Sequence, residues 1–249
     1  MFNFFKKNKN NAGETGAFTG QLPVSVDMHS HILPGIDDGS PDVDTSIILI
    51  KGLMDLGIKK SVATPHIISD MYRNNSDTIN AALSVLKKEL VKEKINFEVS
   101  AAAEYMMDAY FFELLQNKTK LLTIRDNIVL TEFSYAMMPH SPEQMSFAII
   151  TEGYKPILAH PERYPYYFGD YKAFHRLTEL GFLLQVNLLS LTGYYGKESV
   201  KAAVYMLKND LVSYLGTDIH HDRHLEAFKD AFEKGTFRKY LEEKEWNVL

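Results

Sequence analysis

The chain has 249 residues, of which 45% are hydrophobic and 24% are charged, which is typical of a globular protein with one large domain or two small ones. Its formal charge of −5 and its pI near 6.0 lack the excess positive charge that nucleic-acid binding requires. The absence of cysteine excludes disulfides, thiolate-rich zinc sites and a cysteine nucleophile.

Residues 1–20 are rich in Asn, Lys and Gly, and this composition predicts a flexible N-terminal arm. No apolar stretch follows the lysines of this arm, so it does not resemble a secretory signal. No later apolar run approaches the roughly 20 residues that a membrane-spanning helix needs. We therefore predict a cytoplasmic protein in which residues 21–249 form a single domain.

Seven apolar or β-branched runs alternate with helical patterns after the arm, and each run leads into polar residues. The predicted strands are Pro23–Met28, Lys60–Ala63, Asn96–Ala101, Ile128–Leu130, Pro156–Ala159, Phe182–Val186 and Leu211–Leu215. Repeated strand–helix units imply an α/β fold with a parallel sheet and right-handed crossovers. Seven units without a second domain favour a closed or nearly closed barrel, and a doubly wound open sheet is the alternative.

Two of the predicted helices have clear start signals. Ser40 and Ser141 are each followed by a proline, which predicts a helix N-cap with proline at the first helical position. Gln144 completes a capping box with Ser141. Gly57 and Gly153 predict the ends of these two helices.

Histidine or carboxylate side chains follow six of the seven predicted strands. They are His29 and His31 after the first strand, His66 after the second, Glu104 after the third, Glu132 after the fourth, His160 after the fifth, and Asp218 and His220 after the seventh. In parallel α/β barrels, the chemistry lies at these carboxyl ends of the strands. Asp37 and Asp38 come after a Pro-Gly turn that follows the first strand.

Each of these residues alone also has an ordinary explanation. The pair of aspartates fits a turn before a helix, His66 fits a turn after its proline, and a lone glutamate is most often at the surface. Pro161 predicts an extended backbone at His160. The joint pattern is harder to explain by chance, and it favours a polynuclear metal centre. Four further histidines fit helix ends or the surface and are left out of this centre, namely His140, His175, His221 and His224.

A ligand set of imidazoles and carboxylates suits Mn²⁺, Fe²⁺, Zn²⁺ or Mg²⁺. The eight strand-end residues and one aspartate of the turn, nine candidate ligands in all, are too many for one ion and enough for two or three ions with open positions. Ions about 3.5–4 Å apart are the usual clamp for in-line attack on a phosphoryl group.

Seven segments of the chain resemble motifs of the PHP (polymerase and histidinol phosphatase) superfamily. They are "DMHSHILPGIDDG", "ATPH", "AAAEY", "LTEF", "AHPERY", "QVNLLSLTGYYGK" and "GTDIH". Within that superfamily, the chain is most similar to the bacterial manganese-dependent tyrosine-protein phosphatases of the CpsB/YwqE type. The resemblance extends from about Val24 to about His220. It implies a distorted TIM-like (β/α)7 barrel and a cysteine-independent hydrolase.

The resemblance also implies a trinuclear centre, with Mn²⁺ as the first choice of metal. One ion would have His29, His31, Glu104 and Asp218; a second would share Glu104 and have His66, Glu132 and His160; a third would have Asp38 and His220. Arg163 matches the family arginine that holds the substrate phosphate, and an ion pair with a nearby acid is its alternative role. The implied reaction is metal-assisted hydrolysis of phosphotyrosine, on a bacterial tyrosine kinase tail that controls capsule or exopolysaccharide synthesis.

Two segments depart from the family pattern and affect the outer substrate contacts. The family often has an arginine soon after the third-strand glutamate, where this chain reads "EYMMD", and many members have a Gly-Arg-Pro-like segment where this chain reads "HHDRHLEAF". Arg223 is therefore only a second candidate for a phosphate contact. The aromatic stretch "RYPYYFGDY" either stacks on a phenyl phosphate or packs against the barrel.

Three other functions are weighed against this one. A PHP phosphoesterase acting on histidinol phosphate or a nucleotide would have the same centre. An amidohydrolase barrel also opens with H-x-H, but it usually adds a bridging modified lysine where this chain has Glu104 and Glu132. A non-catalytic regulator that binds a kinase would be expected to lack ligands.

Overall fold

The computed structural model describes residues 22, 24–241 and 246–247. The predicted arm over residues 1–20 lies outside the described residues. The strands are β1 Val26–Ser30, β2 Lys60–Ala63, β3 His66–Ile67, β4 Glu98–Ala101, β5 Glu104–Met106, β6 Ile128–Glu132, β7 Lys155–Ala159, β8 Leu183–Asn187 and β9 Val212–Gly216. The helices are α1 Val43–Asp55, α2 Ser76–Lys92, α3 Ala109–Gln116, α4 Pro142–Thr151, α5 Lys172–Glu179, α6 Lys197–Lys208, α7 Asp222–Glu233 and α8 Arg238–Leu241.

The strands form two parallel sheets, so the prediction of a parallel α/β fold is confirmed. The smaller sheet has the order β1-β2-β4 and the larger one the order β3-β5-β6-β7-β8-β9. Each of the seven predicted runs overlaps a strand, while the short strands β3 and β5 were not predicted separately. No closed barrel is found within the described residues, so the closed-barrel prediction is not confirmed.

The chain passes from the small sheet to the large one at two points, between β2 and β3 and between β4 and β5. The first break falls at Thr64-Pro65, where proline has no N–H to donate to a neighbouring strand. The edge strand β1 also meets the segment after β9, since His31 N donates to Ile219 O at 2.9 Å and Asp218 N donates to His29 O at 2.8 Å. The carboxyl ends of β1 and β9 are thereby held side by side.

A small apolar cluster joins residues of the two sheets, and its members Met28 and Ala159 directly precede His29 and His160. It joins Met28 of β1 to residues of β6 and β7, namely Ile128, Leu130, Ile157 and Ala159. A larger cluster lies between the strands and the helices. Burial of apolar area in both clusters stabilises the strands whose ends carry the polar side chains.

The helix starts differ in detail from the prediction. Asp42, not Ser40, caps α1, because its side chain accepts a hydrogen bond from Thr45 N at 2.8 Å. Ser141 does precede α4 with a proline at the first position, but its side chain makes no capping hydrogen bond and the predicted capping box is absent. Within the described residues, no helix is both long and apolar enough to cross a bilayer.

Candidate metal centre

All nine residues predicted as ligands lie near the carboxyl ends of β1, β2, β4, β6, β7 and β9 or in the segments that follow, which for β2 and β4 lead into the short strands β3 and β5. His29 lies in β1 and His31 directly after it, Asp38 lies in the next loop, His66 begins β3, Glu104 begins β5, Glu132 ends β6, His160 follows β7, and Asp218 and His220 follow β9. Because all the strand pairs are parallel, these ends face the same side of the molecule. They form four overlapping groups, in each of which the ligand atoms lie within 4.8 Å of one another.

The deepest group consists of His29, His31 and Glu104, and Asp218, which belongs to another group with His29, lies beside it. His29 Nε2 lies 3.2 Å from Glu104 Oε2 and 3.2 Å from Asp218 Oδ1. His31 Nε2 lies 3.4 Å and 3.3 Å from the same two oxygens. All four residues are buried, so two imidazoles and two carboxylates lie together away from bulk solvent.

A second group contains two buried atoms that lack hydrogen-bond partners, and they provide a test of fit for a metal. His66 Nδ1 lies 3.2 Å from Glu104 Oε2 and 3.0 Å from Glu132 Oε1. Neither His66 Nδ1 nor Glu132 Oε1 makes a hydrogen bond in the described structure. Buried polar atoms that make no hydrogen bond are costly, and a cation bound by both atoms removes that cost. The donor set therefore fits a metal ion.

A third group lies at the rim of the site and includes Asp38, whose side chain is 52% exposed. Asp38 Oδ1 lies 3.5 Å from His66 Nε2 and 3.7 Å from His220 Nε2. The His220 ring stacks on that of His31 with a centroid distance of 4.0 Å. This group brings Asp38 and His220 together, as the resemblance implied for the third ion, and adds His66 and His31 to them.

His160 contacts Glu104, the carboxylate that the resemblance shares between two ions. Its Nε2 lies 3.0 Å from Glu104 Oε1, and it forms the fourth group with His29 and Asp218 rather than with His66 and Glu132. Glu104 thus lies between the deep group and the His66 group, with one oxygen toward His160 and the other toward His66.

The backbone at His160 overturns the expectation of an extended conformation before Pro161. His160 has φ 36° and ψ 52°, in the left-handed region, and Asp218 also has a positive φ of 50°. Non-glycine residues in this region are strained, and such strain concentrates at functional sites. The side-chain contacts of His160 with Glu104 and Tyr135 hold it in this conformation, and they outweigh the local preference set by the proline.

The buried imidazoles and carboxylates of the centre shift one another's pKa. Burial by itself lowers the pKa of His29, but the carboxylates of Glu104 and Asp218 raise that pKa to about 10. Burial alone would raise the pKa of Glu104, but the neighbouring His29 and His66 hold it well below its usual range. These carboxylates therefore require compensating positive charge, which a metal ion can provide.

Two residues that the sequence did not single out as ligand supports fix the orientation of the first two histidines. Asp37, interpreted as part of a turn, accepts a hydrogen bond from His31 Nδ1 at 2.8 Å through Oδ2. Gln185 of β8 accepts one from His29 Nδ1 at 2.8 Å. With Nδ1 engaged, Nε2 of each ring is left free for a metal. The sequence signal for Gln185 is its position as a polar residue within the sixth predicted strand, the one strand without a predicted ligand at its end.

The polar network continues along β8. Gln185 Nε2 donates to Asn187 Oδ1 at 2.8 Å, and Asn187 Nδ2 donates to Asp218 Oδ2 at 2.6 Å. Glu162 is buried and accepts hydrogen bonds from Asn187 N at 2.9 Å and from Ser190 Oγ at 2.6 Å. The sixth predicted strand thus contributes support for ligand residues and not a ligand.

Arg163, predicted to bind phosphate, reaches the site and contacts a predicted ligand. Its Nη1 donates to Asp218 Oδ2 at 2.7 Å, and its side chain is 23% exposed. The guanidinium carbon lies 4.1 Å from the ring centroid of Tyr195 and 5.2 Å from that of Tyr135. The arginine is therefore paired with an acid of the centre, and part of its surface remains open to solvent.

Arg223 is not brought into the centre. It lies exposed in the first turn of α7, and no hydrogen bond or ion pair joins its guanidinium to another described residue. The aromatic stretch after Arg163 mainly packs, since Tyr164 and Tyr167 are buried while Phe168 is partly exposed. The two aromatic residues beside the arginine are Tyr135 and Tyr195, which the sequence did not indicate.

Comparisons with known proteins agree with this architecture. The profile of the family described as "Capsular polysaccharide synthesis, CpsB/CapC" matches residues 25–243. Tyrosine-protein phosphatase YwqE of Bacillus subtilis is 31% identical over 199 residues, which are 79% of this chain and 77% of YwqE. Tyrosine-protein phosphatase CpsB of Streptococcus pneumoniae is 29% identical over 205 residues, covering 79% of this chain and 83% of CpsB.

A solved structure gives the same result at the level of the fold. It comes from crystallographic work on YwqE from Bacillus subtilis and CpsB from Streptococcus pneumoniae, described as metal-dependent tyrosine phosphatases. It superposes with a TM-score of 0.75 at 27% identity and covers 87% of this chain and 91% of the other. The match over residues 25–243 includes every residue of the candidate centre, and the chain belongs to the CpsB/CapC family of capsular polysaccharide synthesis.

Proposed function

We propose that this chain is a metal-dependent protein-tyrosine phosphatase that hydrolyses phosphotyrosine without a cysteine nucleophile. The observation that carries the proposal is the convergence of five histidines and four carboxylates on one site, where His66 Nδ1 and Glu132 Oε1 are buried without a hydrogen bond. Membership of the CpsB/CapC family supports the same reaction, because its relatives YwqE and CpsB are named tyrosine-protein phosphatases.

The residues of all four ligand groups would hold the metal. Bound metal ions at such a site activate water and neutralise charge on phosphate oxygens. Glu104, with its two oxygens directed to different histidines, would bridge neighbouring positions. Asp37 and Gln185 hold the rings of His31 and His29 with Nε2 toward the centre, so the ligand atoms are oriented before the metal arrives.

Arg163 would bind the substrate phosphate. Its single hydrogen bond to Asp218 uses Nη1 and leaves other guanidinium N–H groups for phosphate oxygens. A planar guanidinium offers paired donors to such oxygens, and their charge grows in the transition state. The aryl leaving group would occupy the open side of the arginine, near the partly exposed ring of Tyr135.

Several finer features belong to the same proposal. The metal would be Mn²⁺, in three positions, with Fe²⁺, Zn²⁺ and Mg²⁺ as alternatives that the same ligands accept. The substrate would be the phosphotyrosine-bearing tail of a bacterial tyrosine kinase in capsule or exopolysaccharide synthesis, and the location would be the cytoplasm, where such a kinase uses ATP. Residues 21–249 would form one domain with the strands arranged as a distorted (β/α)7 barrel.

The test is an assay of metal-stripped and Mn²⁺-reloaded protein on a phosphotyrosine peptide. Phosphoserine peptide and histidinol phosphate serve as competing substrates in parallel. We expect turnover only after reloading, with the phosphotyrosine peptide preferred by kcat/KM. A preference for histidinol phosphate would favour the small-molecule phosphoesterase, and the absence of any turnover with metal bound would favour the non-catalytic regulator.

A further inference from the structure

Tyr135 lies in the loop between β6 and α4 and contacts two residues of the candidate centre. Its hydroxyl oxygen lies 3.0 Å from His160 Nδ1. Its ring stacks on the His160 ring, with a centroid distance of 5.7 Å and an interplanar angle of 26°. The same ring lies 5.2 Å from the guanidinium carbon of Arg163. One side chain therefore touches a predicted metal ligand and the predicted phosphate-binding arginine.

The contact with His160 determines which ring nitrogen is available to a metal. His160 Nε2 points toward Glu104 Oε1, at 3.0 Å, so it is the nitrogen directed into the centre. A neutral imidazole that coordinates through Nε2 has its proton on Nδ1 and needs an acceptor there. The hydroxyl oxygen of Tyr135 is positioned to be that acceptor, because it lies 3.0 Å from Nδ1 of the buried His160.

The contact with Arg163 places an aromatic ring against the guanidinium. Tyr195, from the loop before α6, lies 4.1 Å from the same guanidinium carbon, and Asp218 Oδ2 accepts its Nη1 hydrogen bond. Two rings from separate loops and one carboxylate thus define where the arginine lies. Such cation–π contacts restrict the side chain without using its N–H donors.

We propose that Tyr135 is a positioning residue, which holds His160 with Nε2 toward the metals and Arg163 over the centre. This inference rests on the function proposed above. It adds to that function a link between metal binding and phosphate binding through one side chain. The hydroxyl serves the first role and the ring serves the second, so the two can be separated by substitution.

The first experiment measures Mn²⁺ affinity on stripped protein with a competing chelator, without any assay of turnover. Tyr135→Phe keeps the ring and removes the acceptor of His160, so we expect the affinity of the His160 site to fall about 10- to 100-fold, as for the loss of other hydrogen-bond partners of metal-bound histidines. Tyr166→Phe is the matched control. Its hydroxyl donates to Ser134 O at 3.0 Å in the same loop, but no hydrogen bond joins it to His160 in the described structure.

The second experiment measures the binding of inorganic phosphate at saturating Mn²⁺ by isothermal titration calorimetry, without any assay of turnover. Tyr135→Phe should bind phosphate with the affinity of the parent. Tyr135→Leu, which removes the ring from Arg163, should bind phosphate about 2- to 30-fold more weakly. Circular dichroism and thermal unfolding check that each variant is folded, and Tyr135 is 39% exposed, so neither change opens the core.

Unchanged Mn²⁺ affinity in Tyr135→Phe would overturn the role assigned to the hydroxyl. An equal loss in Tyr166→Phe would overturn it too, because the effect would then belong to the loop. Phosphate binding by Tyr135→Leu at the parental affinity would overturn the role of the ring. Since the affinity comparison involves no catalysis, a failure of the proposed phosphatase activity would leave it standing and would be recognised separately in the peptide assay.

Discussion

Glu104 joins the separate ligand groups at the scale of single residues. Its Oε2 lies 3.2 Å from both His29 Nε2 and His66 Nδ1, while its Oε1 lies 3.0 Å from His160 Nε2. A carboxylate can engage two cations at once, which no single imidazole nitrogen can do. Glu104 therefore links the neighbouring ligand groups. The polar residues around the site fix the orientation of each imidazole ring.

Replacement of Arg163 tests its role in binding phosphate. Arg163→Ala should lower kcat/KM for a phosphotyrosine peptide about 10²- to 10³-fold, or roughly 2.7–4 kcal/mol, as for loss of one preorganised donor to transition-state charge. Arg163→Lys should recover only part of this loss because a lysine cannot present paired donors. Bound metal should stay at the parental level, since Asn187 still donates to Asp218 Oδ2 at 2.6 Å.

The exposed Arg223 provides the control for that substitution. Arg223→Ala should have nearly parental kcat/KM, because no side-chain hydrogen bond or ion pair ties it to the described centre. If the kcat/KM of Arg163→Ala stayed within a few-fold of the parent while that of Arg223→Ala fell, Arg223 would be the phosphate-binding arginine and Arg163 would not. The same peptide assay and metal analysis distinguish these results.

Asp37→Asn tests the support of His31. The substitution keeps the shape of the side chain but removes the charge that accepts from His31 Nδ1 at 2.8 Å. We expect Mn²⁺ affinity to fall about 10- to 100-fold, the usual effect of changing a hydrogen-bond partner of a metal-bound histidine. Asp44→Asn removes the same charge from an exposed position in α1 and should leave the affinity unchanged. Equal affinities for Asp37→Asn and the parent would show that Asp37 serves only the turn.

At the scale of elements, the close approach of β9 to its neighbours positions the deep ligand group. A Cβ added at Gly216 would lie 2.7 Å from both Gln185 Nε2 and His29 Cβ. The glycine therefore lets β9 pack tightly against β8 and β1 at the level of the predicted ligands. Asp218 follows two residues later and is held to His29 O by its backbone N–H at 2.8 Å.

Gly216→Ala should disturb this packing. Forcing a methyl group into a filled space should lower the free energy of unfolding by about 1–3 kcal/mol. Because the displaced groups are His29 and Gln185, Mn²⁺ affinity should fall as well. Urea unfolding and the chelator titration measure the two effects. Ser213→Ala, on the same strand, should change neither, and parental stability in Gly216→Ala would show that β9 can shift without cost.

At the scale of the whole molecule, the centre joins the two sheets. His29 and His31 come from the small sheet and its following loop, whereas Glu104, Glu132, His160 and Asp218 come from the large sheet and its loops. A metal bound between them would act as a cross-link of the folded state. Its removal would leave buried carboxylates with only the neighbouring imidazoles for charge compensation.

Metal removal should therefore affect both stability and activity. EDTA should lower the Tm, and Mn²⁺ should restore it, since a ligand that binds only the folded state stabilises it by about 2.7 kcal/mol at 100 times its Kd. Activity on the phosphotyrosine peptide should follow the metal and resist iodoacetamide, because the chain has no cysteine. Differential scanning fluorimetry and the peptide assay record these effects. Activity that survived exhaustive chelation would contradict the metal-dependent reaction.

The sequence by itself determined the parallel α/β class, the seven strand positions and the residues that meet at the candidate centre. It could do so because strand periodicity and the polar residues at strand ends are local signals. The same local signals favour Ser40 as a helix cap, and this prediction is wrong because Asp42, two residues away, is equally suited to the role.

The tertiary structure alone decided which side chains support the ligands and how the sheets are arranged. Asp37, Gln185 and Tyr135 have ordinary sequence contexts, and only long-range packing brings them to His31, His29 and His160. The left-handed conformation of His160 was also unpredictable, because contacts with Glu104 and Tyr135 outweigh the preference imposed by the following proline. Pairing between strands and hydrogen bonds between distant residues depend on the fold as a whole, so local patterns do not specify them.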